Sequence, residues 1–191
     1  MTPGEWIVAA CTLIAGLPGA ISFWWLFLRP SELRASTPVQ ITFNPPPPGR
    51  HGPQVVIATL LYVTGESGVA LENLGVRVRH HQTEKIFSVW VLGPPMGGKA
   101  AGLLIDKKGL PASHFFLAGQ DDKYIFESGR YEVTLLAKVA GNARVIELVT
   151  ANVDLPEAMQ RMMYENRRGV CFDLNMKSDG YVAVAPTLLD Q

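Results

Sequence analysis

The sequence predicts a mainly β protein: an antiparallel β-sandwich preceded by one N-terminal transmembrane helix and carrying one short helix late in the chain. Three observations predict it. An apolar run without Asp, Glu, Lys, Arg or His occupies Trp6 to Leu28. Short stretches of alternating apolar and polar residues recur from Val39 to Val184, separated by Gly- and Pro-containing turns. Long helical patterns between those stretches are missing, which counts against a parallel βαβ sheet. A chain of 191 residues has room for one ordinary domain and an appendage. Its 17 Lys and Arg balance 17 Asp and Glu, so it carries neither a cationic footprint for nucleic acid nor an acidic tail. Charged residues make up 18% and apolar residues 48%, with the apolar excess concentrated before Arg29.

Residues 1–28 are expected to form the membrane anchor. As a helix, Trp6 to Leu28 spans roughly 35 Å, enough to cross a hydrocarbon core. Trp6 stands at one end and Trp24 and Trp25 near the other, where amphipathic rings favour the headgroup region. Pro18, between Gly16-Leu17 and Gly19, invites a bend. A cleaved signal peptide fits poorly, because Met1 to Glu5 has no basic residue and the apolar run is too long. Val8-Ala9-Ala10-Cys11 is similar to a lipobox, yet most of the apolar run follows Cys11, and a buried soluble helix needs a polar face that this stretch lacks. Arg29 and Arg34 are the nearest flanking positive charges, so the C-terminal domain is expected in the cytoplasm. Cys11 and Cys171 make no disulfide framework.

Residues 29–38 are expected to be a linker and residues 39–191 the sandwich domain. Pro45 to Pro48 favour a stiff polyproline II spacer, or a ligand for a proline-reading groove. Val39 to Phe43 alternates and opens the domain. Further strands are expected over Val55–Val63, Leu74–Val78, Ile86–Leu92, Tyr124–Phe126, Tyr131–Val139 and Arg144–Val153. Val76 and Val78 alternate with Arg77 and Arg79, which gives one covered face and one wet face. Val170–Leu174 and Tyr181–Val184, joined through Lys177 to Gly180, form an expected terminal hairpin.

The stretch Ser128-Gly129-Arg130-Tyr131-Glu132-Val133-Thr134-Leu135, followed by a turn and a second long strand, resembles the G-x-Y element of immunoglobulin-like and fibronectin type III-like sandwiches. The resemblance implies a tyrosine corner, with the Tyr131 hydroxyl reaching back to the corner before its strand. It covers roughly residues 39–155. The chain departs from antibody domains in lacking the sheet-bridging cysteine pair, and Trp90 is not assigned to the family's core tryptophan. The resemblance implies a fold and no activity.

A helix is expected from Leu155 to Arg168, with Asp154 as N-cap, Pro156 and Glu157 in the first turn, Arg167 and Arg168 in the last, and Gly169 as terminator. Met159, Met162 and Met163 share a face with Leu155, which is either a docking surface or a stripe that packs on the sandwich.

Catalytic, cofactor and metal sites are not expected. Gly93-Pro94-Pro95-Met96-Gly97-Gly98-Lys99-Ala100 has phosphate-loop spacing through the lysine, but Ala100 replaces the magnesium-holding hydroxyl and two prolines remove backbone donors. His80 and His81 are expected to point to opposite faces. His51, His114 and Cys171 fit no zinc spacing. Ser113, His114 and Asp121 or Asp122 supply the residue types of a hydrolase triad without a nucleophile motif. The expected role is a non-catalytic partner-binding or scaffolding module at the bilayer, with a protein partner and no nucleic acid. An extracytoplasmic domain that binds glycan, peptide or a surface protein is the alternative, and a loop-built enzyme the second.

Overall fold

A computed structural model of the chain describes residues 31–46, 52–92, 98–99, 102–119, 122–175, 177 and 180–185, together with 4, 16–19 and 21–24. Among these the elements are β1 (Leu33–Ala35), β2 (Gln40–Asn44), β3 (Gln54–Val63), β4 (Val69–His80), β5 (Thr83–Phe87), β6 (Val89–Leu92), β7 (Gly98–Lys99), β8 (Leu103–Ile105), β9 (Leu110–Leu117), β10 (Gly129–Val139), β11 (Val145–Leu155), α1 (Glu157–Glu165), β12 (Val170–Asn175) and β13 (Gly180–Val184). They build two antiparallel sheets. One runs β13-β12-β2-β3-β9-β6-β7, with β1 also on β3; the other runs β11-β10-β4-β5, with β8 also on β4.

Period two decides which side chains enter the core. Along β10, Tyr131, Val133, Leu135 and Ala137 are buried, and in β4 Val76 and Val78 lie opposite Leu135 and Val133. The opposite sheet contributes Ile41, Phe43, Val55, Ile57, Phe116 and Phe172. Phe43 stacks on Phe126 at 4.3 Å and meets the Tyr131 ring edge-on at 5.2 Å, so one aromatic cluster joins the sheets.

Three departures from the expected elements have local causes. β4 begins at Val69 rather than Leu74, because a register shift opposite Lys138 and Val139 leaves Glu72 as an extra residue and lets both Leu71 and Leu74 face inward. The expected strand Ile86–Leu92 is two strands in different sheets. The chain crosses over at Ser88, so Phe87 and Trp90 are both buried three residues apart. Tyr124–Phe126 is not a strand. Its alternation is genuine, with Phe126 buried and Ile125 59% exposed, but the Phe126 N–H donates to Tyr164 Oη at 2.7 Å and Gln160 Nε2 donates to the Phe126 carbonyl at 3.2 Å. Side chains of α1 thus satisfy backbone groups that a ladder would otherwise take.

The helix is shorter than the 155–168 expected. Leu155 and Asp154 remain in β11, opposite Gly129 and Arg130, and α1 starts after Pro156 without a side-chain cap. Its end is set by Arg167, left-handed at φ +51°, with Arg168 N–H donating to the Met163 carbonyl at 3.2 Å. This is a Schellman closure with arginine where glycine is usual. Gly169 serves another purpose: a Cβ there would stand 2.0 Å from Asn44 Oδ1 and 3.1 Å from the Phe43 carbonyl.

The expected transmembrane helix is corrected. A crossing needs about twenty apolar residues in one helix, and among the described residues no helix is long and apolar enough to cross a membrane. Within 6–28 the described helical residues are 16–19 and 21–24, Pro18 and the 59% exposed Trp24 among them. Trp6, Trp25 and Arg29 lie outside the described residues. The single-pass assignment and the cytoplasmic placement that depended on it are withdrawn. Arg34, expected to flank the span, sits in β1, pairs with Tyr62 of β3 in register and holds Glu32 at 2.6 Å. The expected linker 29–38 therefore contains a strand of the larger sheet.

Candidate functional site

Long-range pairing sets out the outer face of the β11-β10-β4-β5 sheet in rows. Glu84, Arg79 and Glu132 form one, Ile86, Arg77 and Thr134 the next, Gly75, Leu136 and Glu147 a third, and Asn73, Lys138 and Val145 a fourth. The charges pair within the face: Arg77 with Glu147 at 2.8 Å, Arg79 with Glu84 at 2.7 Å and Glu132 at 3.2 Å, and Lys138 with Glu72 at 2.9 Å. Gly75 interrupts the third row. Where other residues carry a side chain it leaves a dent, and the result is a groove of about 360 Å³.

Leu136 forms the groove's floor, 9% exposed although its side chain points away from the core. Ile86 and Val145 flank it at 50% and 58% exposure. Asn73, Arg77, Lys138 and Glu147 form the rim. Arg77 Nε is buried and has no hydrogen-bond partner among the described residues, although the same guanidinium engages Glu147 through its terminal nitrogen. A Cβ on Gly75 would stand 3.4 Å from the Phe87 carbonyl, an ordinary contact, so the position accepts a side chain and the dent is what glycine leaves there.

Beside the rows, β4 ends against the corner that precedes β10. The Tyr131 hydroxyl donates to the Glu127 carbonyl at 2.6 Å, with its ring fully buried. Burial pushes the phenol well above its ordinary range. His80 stacks on that ring at 4.3 Å and its Nδ1 lies 3.1 Å from the Arg130 carbonyl. Gly129 permits this approach: at φ +127°, a Cβ would stand 2.9 Å from His80 Cε1. The two histidine rings touch, 4.2 Å apart, contrary to the expected opposite faces. His81 is the first turn residue, left-handed at φ +52°, so strand alternation stops before it.

The other sequence candidates go to separate places. Ser113 is exposed and His114 fully buried, as neighbours in a strand must be. Asp122 pairs with Lys85; Asp121, His51, Cys11 and Gly93 to Gly97 lie outside the described residues. Gly98 and Lys99 form β7 on β6, a hairpin rather than the strand-to-helix turn of a phosphate loop. Among the described residues no group of three His, Cys, Asp or Glu could hold a metal. Met163 is fully enclosed by its own domain, and Met159 and Met162 pack partly against the same core. Cys171, half-buried, accepts a hydrogen bond from Thr42 Oγ1 at 3.5 Å.

Sequence reasoning missed His114 as a core group. Trp90 Nε1 donates to its Nδ1 at 3.3 Å, which leaves the proton on Nε2, and Nε2 has no partner among the described residues. Burial lowers its pKa to about 4.

Fold and surface together describe an antiparallel β-sandwich with a charge-rimmed groove on one sheet. No family model and no curated protein matches the chain. Among solved structures it is similar to a Bordetella pertussis protein with the provisional name ApaA, at 10% identity and a TM-score of 0.38, over 67% of this chain and 97% of that one. A likeness at that score carries no argument about fold or function.

Proposed function

We propose that the chain is an immunoglobulin-like sandwich module that binds a protein partner through the groove over Gly75 and catalyses no reaction. The composition of the groove carries this reading: an apolar floor at Leu136 between Ile86 and Val145, ringed by Asn73, Arg77, Lys138 and Glu147. An apolar centre with a polar rim is the anatomy of a protein contact. The rim charges are already paired, so a covering partner desolvates ion pairs rather than lone ions. The immunoglobulin-like part rests on the two antiparallel sheets and the bond from Tyr131 to the Glu127 carbonyl. The non-catalytic part is supported by prior commitments: His80 to the Arg130 carbonyl, His114 to Trp90, and Asp122 to Lys85.

A photo-crosslinking residue in place of Ile86 tests the reading in the full chain. One discrete protein adduct is expected, lost on Leu136→Lys or Gly75→Val, both of which fill or charge the groove without touching the core. Adducts spread over many proteins, or unchanged by either substitution, would remove it.

A further inference from the structure

The two sheets turn very different outer faces to their surroundings. On the β11-β10-β4-β5 sheet that face carries Arg77, Arg79, Glu84, Glu132, Lys138 and Glu147. On the larger sheet Ile41, Phe43, Val55 and Ile57 are the buried members of β2 and β3, so their even-numbered neighbours point outward. Register then lays one row across six strands, from β6 to β13: Val91, Phe115, Val56, Thr42, Cys171 and Val184. That row carries no charge. The row on one side of it begins with Val89 and Leu117, and the row on the other includes Ala58 and Val182. Asp173 is the single charged residue of the three rows, and it accepts a hydrogen bond from Gln40 Nε2 at 2.7 Å. These outward residues are half-buried or exposed, and none belongs to the core of the domain. Charges return at the margin, where Lys99 of β7 follows Val91 in register and Arg34 of β1 lies opposite Tyr62.

An uncharged face of this extent is unusual on a monomer, whose apolar residues are normally scattered. Its rows occupy roughly 24 Å across the strands and roughly 20 Å along them, a footprint of about 480 Å². Two such faces in contact remove about 960 Å² before the relief of the side chains is counted, which brings the contact to the size of about 1,000 Å² that a specific interface needs. A charged partner finds no field here to recognise. A second copy, by contrast, presents the same uncharged rows and the same charged margins, so neither face buries a lone charge of the other.

We propose that two copies of this chain meet through the outer face of the larger sheet, row on row, about a two-fold axis that passes between β3 and β2. Two sheets stacked in this way keep their strands within about 30° of each other and lie about 10 Å apart, as the layers of a sandwich do. Val56, in the central row of β3, then lies beside its counterpart in the second copy. The groove over Gly75 stays on the far side of each copy, so the dimer displays two grooves that face away from one another.

Sedimentation of the full chain between about 1 and 100 µM tests this. A reversible equilibrium of monomer and dimer is expected, weakened about tenfold by Val56→Ser and at least about 100-fold by Val56→Lys or Val56→Glu, each of which sets two like charges beside the axis. Mixing the Lys and Glu chains should restore association, because the mixed pair brings opposite charges together, and this rescue also shows that both variants are folded. Leu104→Lys, on β8 of the other sheet, should leave the equilibrium unchanged. A chain that stays monomeric throughout overturns the proposal, as does growth beyond two copies, which a two-fold contact does not give. A dimer indifferent to all three Val56 substitutions assigns the contact to another surface, such as the exposed apolar residues Ile21 and Trp24 near the N-terminus. Two variants that are folded by circular dichroism yet fail to associate when mixed overturn the two-fold arrangement. None of these outcomes bears on the groove over Gly75, whose crosslink from position 86 is read separately.

Discussion

Acidification should weaken this fold through His114, which β9 places fully inside the core. Burial lowers its pKa from 6.5 to about 4. In the native state the ring stays neutral until about pH 4, whereas in the unfolded chain it takes a proton below about 6.5. Over that window the unfolded state binds more protons, so stability falls as pH falls. The complete gap is worth about 3 kcal/mol, of which about 2 kcal/mol is lost by pH 5. Replacing the ring by a non-titrating side chain isolates the effect, and His114→Gln retains an acceptor for Trp90 Nε1. Urea midpoints of the full chain at pH 7 and pH 5 provide the assay. The other titrating groups are shared by parent and variant and cancel in the difference between them. With a slope of roughly 2 kcal/mol per molar urea, the parent should lose about 1 M more in midpoint than the variant. Equal losses in the two proteins would refute the reasoning, whatever the absolute stability of the variant.

Tyr131→Phe should cost about 1–3 kcal/mol in the same melts, because the Glu127 carbonyl loses its donor at a buried corner, and Tyr131→Ala about 3–5 kcal/mol. A Tyr131→Phe protein with the parental midpoint would count against the corner. Arg167→Gly should stabilise by about 1 kcal/mol, since a left-handed residue that closes a helix costs glycine little and arginine more; a lower thermal midpoint for the glycine variant would contradict this.

The strands were legible wherever one side faces the core and the other faces water. β10 alternates from Tyr131 to Val139 because β4 and β11 cover its edges and the opposite sheet covers one face. Legibility failed where the rule is broken for a tertiary reason. β9 contains Pro111, Ser113 and His114, was not expected as a strand, and supplied Ser113 and His114 as triad residue types, yet it is a central strand. Pro111 is tolerated because it faces Leu60 of β3 at a point where β6, which pairs only with His114 to Leu117, does not reach. Tyr124–Phe126 failed in the opposite direction: an extended loop copies strand alternation when the partners for its backbone are side chains of a helix some 35 residues on. The apolar N-terminal run was read from its hydropathy, its length and its flanking Trp and Arg residues, and none of these specifies one continuous helix.

The candidate surfaces were less legible than the strands, for a reason that lies in topology. Arg77 and Arg79 announced a wet face, but the groove depends on Gly75 lying opposite Leu136, and nothing local to either residue records that pairing. The same holds for the terminal strand β11. In sequence, Val149 to Leu155 looks like the strand β10 beside which it lies, because the usual marks of an edge, a lysine or a proline within the run, are absent. Its position at the end of the sheet follows only from the order of strands.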